Sequence, residues 1–304
     1  MSSTLSGPLL RRYIGRRLEA LRKAKGLSQT EAARAVQLGR STIIRMEDGD
    51  PGVKLRDPDM ETFLDLYEVD QETRQWLLAC AAAARNGDNN GWWHDYTQQD
   101  LPDWFSLYVV LEDSAETIRQ YESENIPGLL QVREYAKAVF STPSGFFDDD
   151  EIERRIQIRM ERQSLLTRTK PRAPRLDVIL NESVLHRLVG GTEVMTRQLT
   201  HLLDMIDRVG IGVRILAFRT GVHGGMAAGG APFTLLRFSP ASGPDNGPLE
   251  PPTAYVDTLT GAKYLQTTTE VDSYEKVWDD LEARALDYAA SRQLITALLE
   301  GMTE

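Results

Sequence analysis

The chain has 304 residues, about twice the usual domain size of roughly 100–150, so two folding units are expected and a single small module is excluded. Its 41% hydrophobic and 26% charged residues, with 14 Pro and 23 Gly, exclude a disordered or collagen-like chain. The net charge of −10 hides an asymmetry: residues 1–57 carry 12 Lys and Arg against 6 Asp and Glu, net +6, which leaves −16 for residues 58–304.

A polyanion responds to local field rather than to total charge, so a basic head on an acidic body suits a chain of which one end meets phosphates. The longest apolar run, Leu77 to Ala84, falls far short of the roughly 20 residues that cross a bilayer. No apolar stretch follows Arg11-Arg12 as it would in a secretory signal. A cytoplasmic protein without a membrane partner is expected. The single cysteine, Cys80, lies inside that apolar run and reads as a small core residue.

Ile14, Leu18 and Leu21 recur at i, i+4 and i+7, one apolar stripe on a helix that Arg11, Arg12, Arg16, Arg17, Arg22 and Lys23 make cationic. Gly26 stops it. Ser28-Gln29-Thr30-Glu31 reads as a capping box that opens a short second helix, ending near Val36. Gln37 to Gly39 is a tight turn, and a third helix runs from Arg40 through Glu47 to an Asp48-Gly49 stop. Two short helices joined this way make a helix-turn-helix. Met60 to Tyr67 and Gln71 to Arg85 add two more helices, behind the caps Asp57-Pro58 and Asp70. Residues 1–86 are thus expected to form an all-α, five-helix head. On its third helix Ile43 and Met46 make the inward edge, while Arg40 and Ile44 share one outer face and Ser41 and Arg45 a neighbouring one.

Residues 87–91, polar and glycine-rich, read as a linker, and residues 92–304 as an α+β body with a small sheet and flanking helices. Helices are expected over Trp104 to Tyr121, Gln131 to Phe140, Asp148 to Thr167, Thr192 to Val209, Val271 to Ser291 and Gln293 to Leu299. Strands are expected over Leu176 to Leu180, Val213 to Phe218, Phe233 to Phe238 and Ala254 to Leu259. The proline-rich segment Ser239 to Pro252 reads as a flexible connection across the sheet.

The string LSQTEAARAVQLGRSTIIRMEDG resembles the helix-turn-helix of the phage-repressor-like, xenobiotic-response-element family of bacterial regulators, over roughly residues 9–86. The resemblance implies that the third helix lies in the major groove of double-stranded DNA, with Arg40, Ser41, Thr42 and Arg45 facing the groove and Gln29 touching the backbone. Ile44 stands where a polar residue is usual and is placed to pack on a thymine methyl. Arg16 and Arg17 are candidate phosphate contacts of the first helix. The chain departs from the pattern at Gln37, where such turns commonly have Gly.

In the body, WWHDY, LPDWF, ENIPGLLQVREYA, ERRIQIRMERQSLL, GVHGGM followed by FTLLRF, and YVDTLTGAKYL occur in the order seen in the C-terminal domain of WhiJ-like, antitoxin-like actinobacterial regulators. This resemblance spans about residues 92–300 and implies a small partner protein encoded nearby. From Arg154 to Arg175 there are eight Lys or Arg and one acid, Glu161, directly after the acidic run Asp148 to Glu151. Two readings stand: a solvated helix pairing with local acids, or a basic strip, with Arg155, Arg159 and Arg162, that docks an acidic partner or flanking DNA.

His94, His186, His201 and His223 are scattered, with no HExxH spacing or CxxC companion, and neither a G-x-S-x-G elbow nor a phosphate-cradling GxxxxGK[ST] loop occurs. No catalytic residue, metal or cofactor is expected, so the chain reads as a non-enzyme. The glycine-rich loop Gly221 to Gly230 allows close approach of a ligand or partner, or is a crossover between strands. The combined reading is a homodimeric, sequence-specific DNA-binding transcriptional regulator reading an inverted repeat. The alternative is an antitoxin-like protein that sequesters a small toxin and binds DNA only for autoregulation. A third possibility, a small-molecule sensor or hydrolase in the body, requires a pocket with convergent polar groups.

Overall fold

A computed structural model of the chain describes residues 7–86, 103–141, 146–227, 229–240, 244 and 248–303. The expected linker 87–91, the body's start at Trp92 and His94 lie outside the described residues. The chain divides into two units, one made of Met1–His94 with Phe238–Pro251 and the other of Asp95–Arg237 with Pro252–Glu304.

The first unit holds the five expected helices: α1 (Gly7–Ala24), α2 (Gln29–Ala35), α3 (Arg40–Glu47), α4 (Asp57–Leu66) and α5 (Gln71–Asn86). The apolar stripe of α1, Leu10, Ile14 and Leu18, is buried against Ile43 and Met46 of α3, Met60, Phe63 and Leu64 of α4, and Leu77 and Ala81 of α5. Each large apolar side chain buried here stabilises the fold by about 1.5–3 kcal/mol. Cys80 belongs to the same core, and burial pushes its thiol up to about 12.

The unit is completed from far along the chain. Leu249, 2% exposed, joins this core, and Glu250, fully buried, accepts hydrogen bonds from Arg12 Nη2 (2.9 Å) and Arg16 Nη1 (2.6 Å). Arg16 Nη2 also donates to the carbonyl of Leu249. The segment expected to be a flexible connection therefore ends in a clasp on α1. Local sequence carries no sign of this, because the paired residues stand 238 and 234 positions apart.

The second unit contains, in order, α6 (Asp103–Ser114), β1 (Thr117–Glu122), α7 (Arg133–Phe140), α8 (Asp149–Arg162), β2 (Arg175–Asn181), α9 (Ser183–His186), α10 (Thr192–Ile206) and β3 (Ile211–Leu216). There follow α11 (Gly224–Ala227), β4 (Phe233–Arg237), β5 (Thr253–Thr258), β6 (Gly261–Leu265), α12 (Thr268–Arg284) and α13 (Tyr288–Thr303). The six strands form one mixed sheet in the order β3-β2-β1-β4-β5-β6. β1, β2 and β3 run parallel, with Ile118 opposite Leu176 and Val178 opposite Val213, while β4, β5 and β6 add antiparallel neighbours. Trp278 and Leu281 of α12 cover one face, packed on Tyr121, Ile179, Phe233, Leu235 and Val256. On the other face Tyr108 of α6 meets Tyr255 of β5, ring centroids 4.2 Å apart.

Two strands differ from the sequence reading. Residues 117–121, expected to prolong the helix from Trp104, belong instead to the inner strand β1, hydrogen-bonded on both edges with Ile118 and Tyr121 buried. Pairing from two sides outweighs local helical preference. The second is β6, which returns as a hairpin on β5, with Thr258 opposite Gly261 and Tyr255 opposite Tyr264. The expected break between the last two helices falls earlier, where Leu286 N–H donates to the carbonyl of Ile215 (2.9 Å). No described helix is long and apolar enough to cross a membrane.

The clasp is directly testable. Glu250→Ala leaves two part-buried guanidinium groups without their counter-charge, and is expected to ease opening of α1 by about 1–3 kcal/mol. Hydrogen exchange of peptides covering residues 7–24 in the full chain should accelerate by roughly 10- to 100-fold. Unchanged exchange would show that the clasp holds nothing.

Candidate nucleic-acid interface

The helix-turn-helix is set by one carboxylate. Glu47, at the end of α3 and 7% exposed, accepts from Arg22 Nε (2.6 Å) and Nη2 (3.0 Å) of α1 and from Gln29 Nε2 (3.0 Å) at the start of α2. Arg22 Nη1 donates onward to the carbonyl of Leu27 (2.7 Å) in the connection between α1 and α2. The Arg22 pKa is raised, first by its hydrogen bonds to Glu47. The three helices are thus tied at one buried point. Gly15 permits the crossing of α1 and α3: a Cβ there would strike the carbonyl oxygen of Glu47 and stand 2.6 Å from that of Met46.

The capping box that opens α2 is formed as the sequence implies. Ser28 Oγ accepts from Glu31 N–H (3.2 Å) and the Glu31 carboxylate accepts from Ser28 N–H (2.8 Å). The Ser28 hydrogen bonds hold the Glu31 carboxyl below the usual range. In the turn, Gln37 adopts φ +56°, the left-handed region that favours Gly. Gly39 opens α3 without a side-chain cap, and its carbonyl accepts from Thr42 N–H (2.9 Å).

On α3, Ile43, Met46 and Glu47 are buried, Thr42 and Ile44 are half-buried, and Arg40, Ser41 and Arg45 are exposed. Arg40 makes no hydrogen bond or ion pair among the described residues. Arg45 is held by Asp50, Nε to Oδ2 at 2.7 Å, and Asp50 Oδ1 in turn accepts from Gly52 N–H at 2.7 Å. Its pKa is raised, first by the hydrogen bonds to Asp50. Gln29 is half-buried with its amide committed to Glu47. On α1, Arg17 is half-buried, and Arg16 is engaged by Glu250 and Leu249, its pKa lowered by burial against the pull of Glu250.

The residues that the sequence reading overlooked here are Glu47 and Glu250. Glu47 carries a signal: it follows Ile43 at i+4 on the inward face, as Arg22 follows Ile14 and Leu18 on α1.

Residues 14–77 match a family model described as "Helix-turn-helix domain", and residues 105–297, more than half of the chain, match "Domain of unknown function (DUF5753)". The chain belongs to the DUF5753 family. No curated protein and no solved structure matches it. The helix-turn-helix match supports a DNA-binding regulator, with DNA as its partner.

Within the DUF5753 region, the acidic run and the first four arginines of the basic block lie along α8. Asp148 caps it, with Asp149 to Glu151 in its first turn and Arg159 and Arg162 in its last, as the helix dipole favours. The basic strip is not uniformly exposed. Arg162 is buried and bidentate with Glu112 (Nε–Oε2 2.9 Å, Nη2–Oε1 2.7 Å). Burial alone would lower its pKa, but the Glu112 charge and hydrogen bonds raise it. Arg159 is half-buried, donates to Gln131 Oε1 (2.7 Å) and lies 4.3 Å over the Phe140 ring. Arg155 sits 3.8 Å over the ring of Phe147. Farther on, Arg168 pairs with Asp113 and Arg175 with Asp177. The DUF5753 glycine loop, described except at residue 228, packs on α12 through Gly224 N–H to Asp280 Oδ2 (2.6 Å). Among the described residues no three His, Cys, Asp or Glu side chains converge as metal ligands.

The strained turn gives a test of local geometry. Gln37→Gly removes a left-handed non-glycine residue, and is expected to stabilise the head by roughly 0.5–1 kcal/mol after the added freedom of the unfolded chain is subtracted. The rise should appear in the thermal unfolding transition followed by calorimetry. Gln37→Val, which adds a β-branched side chain at the same φ, should lower it.

Proposed function

We propose that the chain is a sequence-specific transcriptional regulator of the xenobiotic-response-element type, acting in the cytoplasm as a homodimer. In this reading α3 enters the major groove of double-stranded DNA with Arg40, Ser41, Thr42 and Ile44 toward the bases. The observation that carries it is Arg40, an exposed guanidinium with no partner among the described residues, on a helix whose angle is locked by Glu47. A planar fork at that place suits guanine O6 and N7. Ile44 supplies an apolar contact for a thymine methyl, and Arg45, held by Asp50, positions against the backbone rather than reads a base.

Arg17 serves as a phosphate contact, and Gln29 supports the backbone approach of α2 while bracing Glu47. Arg16 meets a phosphate only in exchange for Glu250. The second unit supplies dimerisation, so two heads read an inverted repeat with half-sites roughly 10 bp, or a multiple, apart. The WhiJ-like resemblance adds a small partner protein to this account. The antitoxin-like alternative rests on that resemblance, and the inward turn of Arg162 leaves less exposed charge for capturing such a partner.

Arg40→Ala in the full-length protein is expected to cost about 1–3 kcal/mol at the operator, to relax one base pair of the consensus and to leave random DNA almost untouched. Arg17→Ala should weaken all duplexes alike and lower the salt slope by about one unit. Affinities for operator and random duplexes over a salt series distinguish the two. Equal weakening of both duplexes by Arg40→Ala would refute the groove assignment.

A further inference from the structure

Next to the last turns of α8 lies a cavity of about 160 Å³ for which DNA binding has no use. Its apolar wall is made by Trp104 and Phe105 of α6, Phe140 at the end of α7 and Ile158 of α8. Its charged lining is Arg155, Arg159 and Arg162 of α8, with Asp257 of β5. We propose that this cavity binds a small aromatic monocarboxylate, with the carboxylate on Arg159 and the ring between the aromatic walls.

The three arginines differ in how much of their charge is already answered. Arg162 is spent on Glu112 through two hydrogen bonds. Arg155 lies over the ring of Phe147, and Arg159 likewise lies over that of Phe140. Arg159 makes no ion pair among the described residues: its one hydrogen bond goes to the neutral amide of Gln131, and its Nε is buried without an acceptor. A guanidinium carries five donors, and only one of them is used on another side chain here, Nη1 on Gln131. A carboxylate accepts from such a fork in parallel pairs, with charge assistance. Burial pulls the Arg159 pKa down to about 9, with Arg162 pressing the same way. Glu122 acts on it through space, but burial pushes that carboxyl up to about 7, so it neutralises Arg159 only in part.

Size and sign narrow the ligand. A dry cavity of about 150 Å³ holds a benzene ring, and this one has nearly that volume together with three aromatic side chains for stacking. Asp257 places a negative charge on the same lining, which opposes a second charge on the ligand. A dianion such as phosphate meets that repulsion and finds in the apolar wall nothing to replace its hydration. A monoanion with an apolar ring satisfies both.

The test uses the full-length protein and benzoate as probe, with benzamide, benzylamine and inorganic phosphate as controls, by titration calorimetry. Saturable one-to-one binding of benzoate at millimolar concentration or below is expected, at least tenfold tighter than benzamide or phosphate, with no binding of benzylamine. Arg159→Gln should weaken benzoate at least tenfold and leave benzamide unchanged. Asp257→Asn, at an exposed side chain, should tighten benzoate severalfold, and it decides the matter should Arg159→Gln fail to fold. Absence of saturable benzoate binding, equal affinity for benzoate and benzamide, preference for phosphate, or indifference to both substitutions would overturn the proposal.

Discussion

The head depends on the buried carboxylate of Glu47. Two helices as short as α2 and α3, of 7 and 8 residues, cannot fix their angles to each other and to α1 by apolar contact alone, since such contact is non-directional. Charge-assisted hydrogen bonds are directional, and Glu47 collects them from α1 through Arg22 and from α2 through Gln29 while belonging to α3. Replacing the network by apolar side chains of equal volume need not cost stability, whereas deleting one member leaves a buried charge unanswered. What the network secures is orientation. The outer face of α3, and with it Arg40, is presented at an angle set by these bonds and by the close crossing at Gly15.

A second carboxylate, Glu250, acts differently. It reaches the head from a segment 234 residues beyond Arg16 and answers two cations of α1, next to the apolar anchor Leu249. The first unit is therefore not a contiguous stretch of chain, and the basic surface of α1 is smaller than a count of its arginines suggests. Arg40 on α3, by contrast, is exposed and answered by no acid among the described residues.

Much of the head was legible because its signals are local. The α1 stripe, the Ser28–Glu31 box and the turn residues lie within a few positions of one another, and a helix-turn-helix is built from such short-range rules. Gln37 was legible as a departure, and its left-handed backbone is the physical form that departure takes. In the body, helices with strong periodicity such as α8 and α10 were readable, but β1 was not, because Thr117 to Glu122 becomes a strand only through partners on β2 and β4. The arginines of α8 show the same limit at the level of a site. Their spacing at i, i+4 and i+7 places them on one side of the helix, yet only the fold brings Glu112 to Arg162 and leaves Arg159 facing a neutral amide. Sequence gives the charge of a residue, and the fold decides whether that charge is already used.

The central claim is that α3 reads base edges in the major groove. Methylation interference on duplexes selected from a random pool by the full-length protein tests it most directly. Methylation of guanine N7 places a methyl group in the major groove, whereas methylation of adenine N3 places one in the minor groove. The expected result is a selected, inverted-repeat sequence in which N7 methylation at one guanine per half-site abolishes binding and N3 methylation does not. A pool that yields no consensus, or interference confined to adenine N3, would contradict it.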